Sequence, residues 1–93
     1  MKIILCAGSN GKAVIIGDVD AAPVPGEPVD LQNARMVLYW ARECGGLLGL
    51  AATGPAEDTR ITHAVPRVVE TVWQEWVEVT PEAGERIDQW SAC

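Results

Sequence analysis

Ninety-three residues are enough for one small domain, read here as 1–93 without internal division. Apolar residues form 48% of the chain, which argues against disorder over most of its length. Seven basic residues against 13 acidic ones leave a net charge of −6, which opposes binding to duplex nucleic acid.

The charges are unevenly spread. After Arg67 the acids Glu70, Glu75, Glu78, Glu82, Glu85 and Asp88 meet one base, Arg86. Arg35, Arg42, Arg60 and Arg67 occupy the middle, where a local anion site is conceivable. Cys6, Cys44 and Cys93 are odd in number and far apart, so free thiols in a reducing compartment are expected. Met1-Lys2 leads straight into a short apolar run, unlike a secretory leader, and no run approaches a membrane span of about 20 residues.

In chain order, Ile3-Ile4-Leu5-Cys6 and Val14-Ile15-Ile16 read as two strands. Asn10-Gly11 between them supplies turn chemistry, so the two form a hairpin. Both runs are apolar on both faces, which predicts a central or interface position. Pro23, Pro25, Gly26 and Pro28 mark a loop. Val29 to Leu31 can restart a strand. Residues 33–44 carry both periods: Val37, Trp40, Ala41 and Cys44 share a helical face, while Arg35, Val37 and Tyr39 alternate. A strand through Trp40 is preferred.

Leu47, Leu50 and Ala51 predict one short helix, ended by Gly54 and Pro55. Arg60 to Val65 reads as a strand broken by Pro66. Val68 to Val79 is rich in β-branched residues and reads as one further strand, although a helix also fits Val68, Val69, Val72, Trp73 and Trp76. As a strand it places Trp73 and Trp76 on opposite faces. Thr80-Pro81-Glu82 opens a helix to about Trp90, with Ala83, Ile87 and Trp90 on one stripe. The expected fold is α+β: a small antiparallel sheet or partly open barrel, one short central helix and a C-terminal helix.

The string Asn33-Ala34-Arg35-Met36-Val37-Leu38-Tyr39-Trp40, with Gly49-Leu50-Ala51-Ala52-Thr53-Gly54-Pro55, Arg60-Ile61, and Thr80, Glu82 and Ala83, resembles a pattern in a family of small uncharacterised tailed-bacteriophage and prophage proteins. The resemblance spans nearly the whole chain and departs after Pro66, where this sequence is rich in Trp. It implies phage origin, a bacterial host cytoplasm and one compact α+β domain. It transfers no activity. Small phage accessory proteins often act on host machinery or defence, and that expectation comes with it.

Enzyme chemistry finds little footing. His63 is the sole histidine and the cysteines are isolated, so neither a zinc site nor a Cys–His pair has the required spacing. Glu57-Asp58 follows a Gly-Pro turn and reads as loop solvation; Asp18 and Asp20 read as exposed strand positions. Gly45-Gly46-Leu47-Leu48-Gly49 lacks the Lys-Ser/Thr of a phosphate loop. No enzyme activity, cofactor or metal is expected.

Two binding surfaces remain. Arg35, Tyr39, Trp40, Arg42 and Arg60 can form a ligand site for a small anion of nucleotide type, aided by the free N–H groups of a helix start. The bland alternative is a core Trp40, with the arginines paired to Glu43, Glu57 and Asp58. Trp73, Trp76 and Trp90, in the acidic C-terminal third, can form a partner surface, because Trp is enriched at interfaces. The bland alternative is burial of all three. The expected protein is a soluble, homo-oligomeric, non-enzymatic phage accessory protein that sequesters an anionic defence signal, or else masks a host protein.

Overall fold

The computed structural model describes residues 1–39 and 46–92. It is α+β, with six antiparallel strands and two helices. β1 is Lys2–Ala7, β2 Ala13–Asp18, β3 Val29–Tyr39, β4 Arg60–Ile61, β5 Val65–Glu70 and β6 Trp73–Glu78; α1 is Gly46–Thr53 and α2 Pro81–Gln89. The sheet order is β4-β3-β2-β1-β6, and β5 also pairs with β3.

β1 and β2 form the expected hairpin, from Lys2 opposite Asp18 to Ala7 opposite Ala13. Its connection differs from the tight Asn-Gly turn. Gly8 and Gly11 take the positive φ angles, +82° and +69°, and Asn10 does not. Instead Asn10 Oδ1 accepts from Lys12 N, 3.1 Å away, in the local side-chain turn that Asn favours. The hairpin lies inside the sheet, buried on both faces as its unalternating apolar sequence requires.

The segment 68–79 is not one strand. β5 and β6 are separated by Thr71-Val72 and pair on opposite sides of the sheet, β5 with β3 and β6 with β1. In a flat sheet the registers would put Glu70 and Trp73 roughly 30 Å apart, four strand spacings across and about eight residue rises along. Two intervening residues reach at most about 11 Å. The sheet must therefore fold over itself. Gly8 N donates to Val72 O at 2.8 Å and Trp73 Nε1 to Glu27 O at 2.8 Å, which ties the loop before β3 to the far end of β1 and β6.

The fold-over has a local cause. Asn33 takes φ +49°, and the β2–β3 register shifts between Ile16 opposite Arg35 and Asp18 opposite Gln32. A bulge of this kind bends a strand. Across from it, Gly17 leaves room for Leu31: a Cβ at 17 would stand 2.9 Å from Leu31 Cβ and 3.2 Å from the Gln32 carbonyl oxygen. The ladder does not run through Thr71-Val72, so the sheet stays open rather than closing into a barrel.

Folding over creates two cores. On one face Ile4, Cys6, Val14, Ile16 and Val37 pack against Leu50 and Ala51 of α1 and Ala83 and Ile87 of α2. On the other, Ile3, Leu5, Ala7 and Ile15 pack against Val29 and Leu31 from the folded-over half of β3, with Val68, Trp73 and Trp76 beside them. Each fully buried Ile or Leu contributes about 1.5–3 kcal/mol of transfer free energy.

The reading of Pro66 as a strand breaker also needs correction: it lies inside β5. β5 is an edge strand, and there the missing N–H of proline is tolerated. Both helices stop and start as local chemistry predicts. Gly54, at φ +91°, ends α1 by donating to Leu50 O, and Thr80 Oγ1 accepts from Ala83 N at the start of α2. No helix among the described residues is long and apolar enough to cross a membrane.

Candidate functional site

The sequence singles out arginines, and the structure gives each an address. Arg35 leaves β3 on the helix side, next to Ile16 on β2. Only 8% of it is exposed. Nε donates to Thr62 O at 2.7 Å, Nη1 to Ile87 O at 2.6 Å and Nη2 to Trp90 O at 2.8 Å. These carbonyls include the C-terminal end of α2, where a cation is favoured by the helix dipole. Burial works against the guanidinium charge and Asp88 works for it. Arg86 does the same for α1, donating to Thr53 O and Pro55 O at 2.6 Å each. Arg35 thus adds a second donor to Ile87 O, which also accepts from Trp90 N, and supplies a donor to Trp90 O just past α2, as Arg86 does for the carbonyls at the end of α1.

Tyr39 and Arg60 are cross-strand partners where β3 meets β4. Tyr39 is 53% exposed, and Arg60 is exposed beside Glu57 and Asp58 on the wall of a shallow 670 Å³ hollow. Trp40 and Arg42 fall outside the described residues, as do Cys44 and Glu43. The start of α1 at Gly46 adjoins that segment. Arg35 sits four positions along β3 from Tyr39, roughly 13 Å in an extended strand. Its side chain is held at the end of α2, so the structure brings together Tyr39 and Arg60 but not Arg35 with them.

The tryptophans are placed differently from the two-faced arrangement. Trp73 and Trp76 lie on the same face, against one core. Leu5 pairs with Trp76, Cys6 with Glu75, and Ala7 with Trp73, so Gln74 is an extra residue that shifts the alternation. Trp90 joins the other core, and its Nε1 donates to Thr59 O at 2.9 Å. All three are half-buried, and two have spent their indole N–H inside the molecule.

The larger exposed apolar surface lies elsewhere, on residues the sequence reading passed over. Ile15 opposite Met36, and Ala34 opposite Val65, are cross-strand pairs on the side of β3 away from the helices. With Val68 they line a mostly apolar hollow of 310 Å³ where β4 and β5 diverge along β3. Met36 is 40%, Val65 46% and Leu38, two positions further on, 55% exposed. Met36 N donates to Thr62 Oγ1, which in turn donates to His63 O, and this fixes the turn between β4 and β5 at the rim. Half-buried Glu70 also lines the hollow. Among the described residues nothing pairs with its carboxylate. The signal for this site was the alternation of Ala34, Met36 and Leu38, an apolar row opposite the Arg35-Val37-Tyr39 row. A strand that is apolar on both sides has a second face to cover.

Among the described residues, three ion pairs lie away from the hollow. Lys2 Nζ bridges Asp18 at 3.1 Å and Asp88 at 2.9 Å, linking β2 to α2. Asp18 is therefore not the simply solvated carboxylate expected of it. Arg67 grips Asp30 with Nη2 at 2.8 Å and Nε at 2.9 Å, holding the Asp30 carboxyl below its usual pKa.

Fold and site together define a small α+β domain whose folded-over sheet leaves an apolar hollow at its open side. Residues 1–87 match the family model described as Domain of unknown function (DUF6948), and the chain belongs to that family. Neither a curated protein nor a solved structure matches it.

Proposed function

We propose that this is a non-enzymatic binding protein whose contact surface is the apolar hollow between β3 and β5. We place it as a bacteriophage accessory protein in the host cytoplasm, a setting supported by the sequence resemblance. The observation that carries the binding reading is the exposure of Met36 and Val65 at one apolar hollow. Exposed apolar surface of this kind marks contact sites more often than isolated apolar residues do. Of the two surfaces expected from sequence, this favours protein masking over anion capture, because Arg35 is already engaged by three carbonyls. The contact moves from the half-buried tryptophans to this hollow. A self-associating chain would use the same surface.

The test compares the wild type with a Met36→Ser, Val65→Ser variant. Solution mass and capture of host proteins are measured for both, with circular dichroism to check folding. A partner or second copy held by the wild type and lost from the folded variant supports the reading. Equal capture by both removes the hollow from consideration.

Exposed Tyr39 beside Arg60 supports a second reading, an anion seated on an aromatic ring and a guanidinium. A nucleotide-type defence signal is its ligand class. Calorimetric titration with cyclic and linear nucleotides tests it, and absence of heat from all of them sinks it.

A further inference from the structure

We infer that the hollow between β3 and β5 takes an apolar group that carries a positive charge, an alkyl- or arylammonium ligand. This rests on the binding reading above and narrows it to a chemical class.

The walls and the rim set the class. Ile15, Ala34, Met36, Val65 and Val68 provide the apolar walls, with Thr62 and His63 of the β4–β5 turn, Arg35 and Glu70 completing the lining. An apolar body entering the hollow releases water from these side chains, which favours its binding in proportion to the apolar area covered. The volume of 310 Å³ is at the lower end for small-molecule sites, which suits one ring or a short chain. At the rim, Glu70 is a half-buried residue with no ion-pair partner among the described residues. A carboxylate bordering an apolar surface gains from a cation that brings its own apolar stem.

The neighbouring charges agree. Arg35 borders the same hollow, but its side chain leaves the opposite face of β3 and its guanidinium is turned to three carbonyls. Arg67, one strand position from Val68, is drawn away by Asp30 on the neighbouring strand. His63, on the rim, is exposed. The net charge of −6 adds a long-range attraction for cations. An anionic ligand would meet Glu70 with the wrong sign.

The experiment is a methyl-resolved magnetic resonance titration of the whole chain with hexylammonium, hexanol and hexanoate. Saturable shifts confined to Met36, Val65, Val68 and Ile15 are expected with the first two. Hexylammonium should bind about fivefold tighter than hexanol, the size of one partly exposed charge pair. The Glu70→Gln variant should bind hexanol unchanged and lose the preference for the amine. Equal binding of amine and alcohol, or tighter binding of hexanoate, overturns the cation assignment and leaves the binding reading standing. No saturable shift with any of the three overturns the ligand class, while the capture and solution-mass comparison above decides the binding reading by itself.

Discussion

Gly17 and Leu31 meet where the sheet folds over, and a side chain at 17 would place its Cβ 2.9 Å from Leu31 Cβ and 3.0 Å from Leu31 Cδ2. Leu31 is fully buried and cannot swing aside, and the Gln32 carbonyl closes the remaining direction. Gly17→Ala should therefore destabilise the chain by about 1–3 kcal/mol, the usual cost of overpacking. Urea unfolding measures this. The Leu31→Ala background should reduce the penalty, because it removes the δ methyl in the way.

Arg35 should be irreplaceable by lysine. Its three nitrogens serve Thr62 O, Ile87 O and Trp90 O, carbonyls that no single ammonium can reach together. Arg35→Lys and Arg35→Met should each lose roughly 2–4 kcal/mol, from lost bonds to Thr62 O and Trp90 O and a C-terminal end of α2 held only by Trp90 N on Ile87 O. Thermal unfolding with hydrogen exchange at residues 87–90 checks it. An unchanged midpoint would show that the buried guanidinium contributes nothing net.

Gln74 should be needed for the register of β6 and not for its side chain. Gln74→Ala removes only a long contact of Nε2 to Ser9 O at 3.4 Å and should be close to neutral. Deleting Gln74 forces Trp73 or Trp76 to the other face. The expected loss is roughly 3 kcal/mol, as for a displaced core aromatic. The indole N–H of Trp73, held by Glu27 O, should then exchange freely with solvent.

Cys6 should be a slow thiol. Burial first, and then the Glu75 carboxylate, hold its pKa above the ordinary thiol value. The folded chain thus retains this proton longer than the unfolded chain does. The associated stabilisation is complete below the unfolded thiol pKa and is lost as pH rises through that value toward the folded one. In a Cys44→Ser, Cys93→Ser background, iodoacetamide at mildly alkaline pH should label the native protein roughly tenfold more slowly than the unfolded chain. Glu75→Gln should narrow the gap without closing it, since burial is the larger cause.

Much of this fold is legible locally. Unalternating apolar runs fixed β1 and β2 as a central hairpin, Gly54-Pro55 marked the end of α1, and Thr80-Pro81-Glu82 the start of α2. These features depend on neighbours within a few residues, so their physics is contained in a short window. The candidate site was less legible. Met36 and Leu38 stood in plain sight as an apolar row, but whether a sheet face is covered depends on what packs over it. Helices cover the Val37 face, and the diverging β4 and β5 leave the Met36 face partly open.

The tertiary structure alone decided the rest. Nothing local distinguishes one strand over 68–79 from two strands split at Thr71-Val72, because the break is set by β5 pairing with β3 and β6 with β1. The role of Arg35 is fixed by Ile87 and Trp90, 52 and 55 residues away, and so an arginine that reads as a ligand-binding residue serves as a helix cap. Trp73 and Trp76 share a face only because their strand carries one residue more than β1 opposite them. Composition and period determine which residues must be hidden. Register, bulge and fold-over determine what each is hidden against, since those are long-range pairings whose energies exist only once the chain has closed on itself.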